Sequence, residues 1–266
     1  MCVLLGVSRQ GYYAWQKRDL SKRALEDRRL TKDMLGIFEG SGGTYGSPRI
    51  QRALQGMGAR ISRRRVERLM RAAGLRARVA RVYRSNPRLH CFYEQYPNRL
   101  WKLRASRRDQ IWVGDVTYLS LGGQWRYLAV VMDQYSRRVL GWSLSRSRGT
   151  TLTRAAFDLA VRHRRPQRRL IFHSDRGSEY AGHAFGTRLR ALGVWQSMTR
   201  GGAPSDNAHM ESFFHSLKAD VIHGLRFTSD SQLRTCIKKY VQYYNHKRLH
   251  SSIGYQSPVE YERRVA

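Results

Sequence analysis

Residues 111–145 read IWVGDVTYLSLGGQWRYLAVVMDQYSRRVLGWSLS, and their pattern decides the fold class. Three runs rich in Val, Leu, Trp and Tyr (IWVGDVTYLSL, QWRYLAVVMDQYS and RRVLGWSLS) are separated by Gly122-Gly123 and by Ser136-Arg137-Arg138. β-Branched and aromatic runs between turn formers predict strands, and three in succession at this spacing predict an antiparallel meander. Downstream, the pattern predicts a helix over about 150–164, with Thr150 or Thr151 as its cap, and a fourth strand in LIFHSD (170–175). After the Arg176-Gly177-Ser178 turn come a helix to about Leu192, a fifth strand in VWQSMTR (194–200), a helix from about Ala208 and a last one over about 230–246. The order βββαβαβα describes an α/β domain over 109–266, a mixed five-stranded sheet flanked by helices.

Three acids stand in this region beside apolar stretches: Asp115 midway along the first strand, Asp175 at the end of the fourth, and Glu211 in PSDNAHMESFF near the start of a helix. They stand out because the chain has 50 Lys+Arg and only 19 Asp+Glu. In a mixed sheet the first and fourth strands are neighbours when a helical crossover returns the chain beside its start. Two strand carboxylates and one helix carboxylate then converge on two divalent ions about 4 Å apart, the arrangement used for in-line phosphoryl transfer. Hard oxygen ligands favour Mg²⁺ or Mn²⁺ over zinc. Each acid also has a structural reading: Asp115 bonded near Thr117, Asp175 as a turn former, Glu211 complementing a helix dipole. Asp133, ending a strand before a turn, reads as structural, and Asp206 as a cap or site-shaping residue. His173 and His209 read as structural or DNA-contacting, because two-metal chemistry needs no histidine base.

The formal charge of +31 is uneven: residues 1–108 hold 26 Lys/Arg against 7 acids, residues 109–266 hold 24 against 12. Charge of this sign and size attracts a phosphate backbone. A ribosomal or membrane-surface protein is the competing class, but the aromatic and aliphatic content is too high for a ribosomal tail. The longest aliphatic run, Leu128–Met132, is far short of the roughly 20 residues of a spanning helix, and the N-terminus lacks a basic signal-peptide region. A cytoplasmic protein without membrane partners is therefore expected. Cys2, Cys91 and Cys236 form no CxxC pair and read as free thiols.

The first 75 residues read as helical. Leu30, Met34, Ile37 and Phe38 recur at helical spacing below a cap at Ser21. Ser47-Pro48 starts a second helix, with Ser47 as N-cap, that ends near Gly56-Met57-Gly58; a third begins at Ser62 and stops at Gly74. Two short helices around a Gly-containing turn, the second carrying Arg63, Arg64, Arg65, Arg68 and Arg71, predict a helix-turn-helix, with a solvated hairpin as the alternative. Arg49 joins these as a DNA-contact candidate. Val7–Trp15 reads as the second half of another such motif. Residues 76–108 are Arg-rich with scattered aromatics and read as a basic linker that lies along DNA.

WVGDVTYL, HSDRGSEY, PSDNAHMESFFHSLKAD and YYNHKRLHSSIGYQSP, with thirty-five residues between Asp175 and Glu211, resemble the DDE transposases of the retroviral-integrase superfamily. More narrowly, the chain resembles the OrfB-type transposases of insertion sequence family three. TYGSPRI and SRRRVERLMRAAGL match that family's upstream helix-turn-helix, and Tyr244-Asn245, Arg248, His250, Tyr255 and Ser257-Pro258 its closing signature. The resemblance covers nearly the whole chain. It implies an RNase H-like integrase catalytic core, with Asp115, Asp175 and Glu211 as the catalytic metal-binding triad for two Mg²⁺ or Mn²⁺ ions. It implies cleavage at transposon ends and transfer of the 3′-hydroxyl into target DNA, by a homo-oligomer assembled on DNA. An upstream OrfA protein or an OrfAB frameshift fusion is the expected protein partner. Arg176, Asn207, Lys218, Asn245, Lys247, Arg248 and His250 are the further DNA-contact candidates.

Overall fold

Ser21 does cap the long N-terminal helix: its hydroxyl accepts the Ala24 amide at 3.2 Å, at the head of α2 (Lys22–Gly40), which follows the short α1 (Arg9–Gln16). The structure, a computed structural model, describes residues 6, 8–17, 19–77, 97–100, 103–166, 169–200, 207–222, 225 and 227–265. It divides into two compact units, residues 1–77 and 78–266. In the first, α3 (Ser47–Gly56) and α4 (Arg63–Ala72) pack with α2 around Leu30, Met34, Ile50, Leu54, Val66 and Leu69. Gly58, at φ +87°, makes the turn between α3 and α4 that a side chain would resist. Ser62 caps α4 as expected, accepting from the Arg65 amide. Ser47 does not cap α3: Gly46 holds that position, and the Ser47 hydroxyl donates to Glu67 at 3.1 Å instead.

In the second unit the three predicted strands appear as β1 (Ile111–Leu121), β2 (Gln124–Asp133) and β3 (Val139–Ser145). Gly122 and Gly123, at φ +55° and +81°, form the two-residue turn that suits a twisted hairpin. After α5 (Thr150–Arg164) come β4 (Ile171–Ser174), α6 (Ser178–Ala181), α7 (His183–Ala191) and β5 (Trp195–Met198). The sheet order is β3-β2-β1-β4-β5, antiparallel through β3, β2 and β1 and parallel from β1 through β4 to β5. The crossover through α5 does return the chain beside its first strand.

Side-chain alternation along β1 and β2 feeds two cores. Ile111, Val113, Val130 and Met132 face Met210, Phe213, Leu233 and Ile237 of α8 (Ala208–Leu217) and α9 (Asp230–His246). Trp112, Ala129 and Val131 face the layer of α5 and α7, where Phe157, Phe172 and Phe185 pack edge to face. α5 lies so close over β3 that a Cβ on Gly141 would stand 2.2 Å from the Ala156 carbonyl oxygen. No helix of the described residues is long and apolar enough to cross a membrane.

Three details differ from the sequence reading. The cap position of α5 is Gly149, with no side-chain cap. The helix expected up to Leu192 breaks at Gly182, whose backbone turns extended where a Cβ would meet the Thr150 hydroxyl at 2.5 Å. A further helix, α10 (Pro258–Arg264), follows α9, opened by a capping box between Ser257 and Glu260. Its Glu262 is buried against Ser136, Arg138 and Arg164, tying α10 to the β2–β3 turn. Asp133 anchors the same turn, accepting the Ser136 and Asp109 amides at 2.9 and 2.6 Å; burial pushes its carboxyl up to about 6. Its expected structural role stands. Most of the Arg-rich segment (78–96, 101 and 102), with Cys2 and Cys91, lies outside the described residues. Cys236 is a free, half-buried thiol.

Candidate active site

The parallel register pairs Gly114 with Ser174, so the next residue on each strand, Asp115 and Asp175, stands at the same level where the β1–β4 ladder ends. Neighbouring strands run about 4.8 Å apart, which brings the two carboxylates onto one another. The strands meet closely because Gly114 has no side chain: a Cβ there would stand 2.5 Å from the Phe172 ring. Asp115 accepts the Val116 amide at 2.7 Å and Asp175 the Gly177 amide at 3.2 Å. Burial, and then the charge of Asp175, hold the Asp115 carboxyl well above the usual carboxylate range. Burial and the charge of Glu179 push Asp175 up to about 6.

Glu179 is the residue that sequence reasoning missed. It is buried on α6, four residues past Asp175, where its carboxylate accepts two bonds from the Arg148 guanidinium at 2.9 and 2.7 Å. Arg148 comes from the loop between β3 and α5, and its charge opposes the rise in both aspartates. Gly177 makes room, since a Cβ there would lie 2.6 Å from the Glu179 carboxylate. The signal was present: HSDRGSEY puts a second acid against an apolar Tyr in a chain poor in acids.

Asn207 ties the start of α8 to this place. Its amide nitrogen donates to the Gly114 carbonyl at 3.3 Å, and its buried Oδ1 meets no hydrogen-bond partner among the described residues. Glu211 lies one turn further along α8 and is exposed. Among the described residues no three His, Cys, Asp or Glu side chains are grouped closely enough to hold a metal ion. The charges of Asp175 and Glu179 both reach Asp115, yet these acids are not grouped as metal ligands, and Glu211 stands apart from them, exposed on α8. Asp206 lies outside the described residues. His173 bonds Ser197 at 2.9 Å in the core. His209 contacts Arg137, and burial with the Arg137 charge lowers its pKa to about 4, leaving a neutral ring.

The expected DNA contacts divide sharply. Lys247 is exposed; Arg176 is half-buried, its Nε donating to the Thr199 carbonyl at 2.7 Å. Lys218, half-buried, holds its ammonium 4.7 Å from the centre of the Tyr118 ring. Asn245, Arg248 and His250, expected to contact the active site or a DNA phosphate, are buried and bonded within the protein. Asn245 exchanges two hydrogen bonds with the Val139 backbone (2.9 and 2.8 Å), Arg248 pairs with Asp220 at 3.1 Å and Ser216 at 2.9 Å, and His250 packs on Tyr244. In the helical unit, Arg65 is clamped by Asp27 and Glu26, Arg68 by Asp27, and Arg63 by Glu67. Arg64 is exposed on α4, and Arg49 lies over the Tyr45 ring.

Comparison with known proteins follows the same outline. Two Integrase core domain families match residues 105–204 and 192–258, and an HTH-like domain family matches residues 24–83. The transposase for insertion sequence element IS904 of Lactococcus lactis is 35% identical over 246 residues, spanning 91% of this chain and 97% of that protein. Transposase InsF for insertion sequence IS3A of Escherichia coli is 35% identical over 268 residues, spanning 99% and 93%. The IS600 uncharacterized 31 kDa protein of Shigella sonnei is 33% identical, spanning 99% and 98%. Among solved structures, the simian T-cell lymphotropic virus intasome in complex with a PP2A regulatory subunit matches 80% of this chain and 70% of that one. At a TM-score of 0.52 and 17% identity, it shares the fold.

Proposed function

The chain belongs to the family of IS3-type insertion-sequence transposases, polynucleotidyl transferases built on an integrase core and an HTH-like domain; from that premise we propose that Asp115, Asp175 and Glu211 are its catalytic acids, acting with Mg²⁺ or Mn²⁺ on element-end DNA. The observation that carries this is the Asp115–Asp175 pair, level across parallel strands where the β1–β4 ladder ends. A pair of hard carboxylates fits a hard divalent cation. The buried Oδ1 of Asn207, beside Gly114, adds an oxygen with a polar atom to satisfy. Glu211 supplies the third carboxylate from α8, one turn beyond Asn207. Bound there, two such ions supply activation of the attacking oxygen and stabilisation of the leaving one.

The protein's own groups then have separate tasks. The β1–β4 register holds the two aspartates level. The Val116 and Gly177 amides each hold one carboxylate oxygen of these aspartates. Arg148, held by Glu179, keeps a cation beside the pair. Exposed cations of the helical unit, Arg64 first, attract the phosphate backbone of the ends. The partners on this reading are element-end and target DNA, further copies of the chain, and an OrfA protein or OrfAB fusion.

Incubation with element-end DNA, target DNA and Mn²⁺ tests the proposal. Joined products that disappear in Asp115→Asn, Asp175→Asn and Glu211→Gln, with DNA affinity kept, support it. Cleavage without joining indicates a nuclease, and binding with neither indicates a repressor. Full strand transfer by any one of the three variants removes that residue from the triad.

A further inference from the structure

β1 pairs with β4 only through Gly114, and β2 pairs with β3 only from Tyr127 onward, so the β1–β2 hairpin projects past the sheet as a two-stranded ribbon. Two large aromatics stand exposed on it, Tyr118 at 57% and Trp125 at 54%. Tyr118 is opposite Tyr127 and Trp125 opposite Ser120, which puts both rings on one face in diagonal contact. They meet edge to face, with centroids 5.1 Å apart. With Leu119, Lys218, Ile222 and Phe227 they line a pocket of about 680 Å³. Lys218 enters from the π-helical turn Lys218–Ile222 that follows α8, so one wall is set by the helix that carries Glu211. The described lining holds one cation and no carboxylate.

Exposed aromatic rings beside a cation, with no acid in the described lining, match the chemistry of an unpaired nucleotide: a π-face to stack and a phosphate to neutralise. The volume suits a ligand of that size. Tyr118 lies three residues from Asp115, about 10 Å along the strand and on its other face, but the Asp115 charge reaches Lys218 at the pocket wall, so a nucleotide or two of the strand being processed spans the interval. We propose that this pocket receives an unpaired base of the DNA strand at the active site, stacked on Tyr118 and Trp125, with Lys218 on the adjoining phosphate. The inference rests on the DNA-processing role proposed above and adds to it a site for an unstacked base.

Binding in EDTA tests the pocket apart from metal chemistry. The full chain is titrated with a fluorescein-labelled duplex bearing a short oligo(dT) overhang, and with the same duplex carrying abasic sites in the overhang. Base stacking is expected to favour the intact overhang by about tenfold. Trp125→Ala and Tyr118→Ala abolish that preference, Trp125→Phe keeps most of it, and both alanine variants keep the wild-type melting temperature. An unchanged preference in the two alanine variants overturns the proposal, as does a wild type indifferent to the abasic sites. Loss of self-association by DNA-free Trp125→Ala in sedimentation would assign the pocket to a second copy and overturn it too. Because no chemistry occurs in EDTA, failure here leaves the catalytic triad to be judged by strand transfer.

Discussion

Replacing Asp175 by Asn removes a carboxyl that folding moves from the usual 3.8 to about 6, chiefly through burial and the charge of Glu179. Because the folded-state value lies above the unfolded one, the native protein binds this proton more tightly than the unfolded chain does. The group costs nothing while both states are protonated, below about 4; the cost grows as pH rises toward about 6 and is constant above it. A shift of about 2 units corresponds to about 3 kcal/mol. Asp175 is only partly buried and water relieves some of this, so about half is expected in practice. Asp175→Asn should therefore stabilise the metal-free protein by about 1.5 kcal/mol at pH 7.5, a rise in Tm of roughly 3–6 °C for a unit of this size. The gain should vanish near pH 4. Saturating Mg²⁺ should reverse the order, stabilising the wild type by about 2–3 kcal/mol at a hundredfold excess over Kd and the variant far less. Thermal melts followed by circular dichroism, with EDTA or Mg²⁺ across this pH range, measure both effects. A variant destabilised at pH 7.5 in EDTA would refute the reasoning, for it would mean that the Asp175 carboxylate is already compensated without a cation.

Arg248→Met leaves the Asp220 carboxylate without its cation and with the Tyr240 hydroxyl as its remaining bond, a change that costs about 3 kcal/mol, while the DNA affinity of the folded protein stays within about twofold; a tenfold loss of affinity at unchanged Tm would return Arg248 to the DNA surface. Gly141→Ala forces a Cβ against the backbone of α5 at Ala156 and Ala160, and should lower stability by about 3 kcal/mol in urea titration, with less than about 1 kcal/mol contradicting the observed packing. Arg64→Ala should weaken DNA binding and reduce the slope of log affinity against log salt by about one, whereas Arg65→Ala should lower the melting temperature of the helical unit instead. Equal salt slopes for wild type and Arg64→Ala would remove Arg64 from the interface.

Much of the fold was legible because it rests on local chemistry. Alternating β-branched and aromatic residues marked β1, β2 and β3, and Gly122-Gly123 marked their first turn. Ser21 and Ser62 marked helix starts because a hydroxyl before a helix satisfies amides that have no other partner. The same rule could have found α10, since Ser257-Pro258 with Glu260 is a capping box. Caps failed where backbone geometry prevailed, as at Ser47 and Thr150, each displaced by a preceding glycine.

The candidate site was half legible. Strand ends and residue spacing placed Asp115 opposite Asp175, because a parallel register follows from the crossover that makes it. Glu179 stood out only as a second acid in HSDRGSEY: its role depends on Arg148, thirty-one residues away, folding back over it. Asn245, Arg248 and His250 looked like surface groups because polarity reads as exposure in a sequence. Their partners, Val139 for the first and Asp220 for the second, are 106 and 28 residues distant. The sequence by itself thus determined the strands, most of the helices and their order, the membership of the transposase family and the two acids that the strands must bring level. Only the tertiary structure decided which polar side chains are satisfied inside and which face solvent, and which aromatics are left on an uncovered hairpin. The reason is physical: a strand or a helix start is set by residues a few positions apart, whereas burial and charge compensation are set by whatever distant segment folds against them.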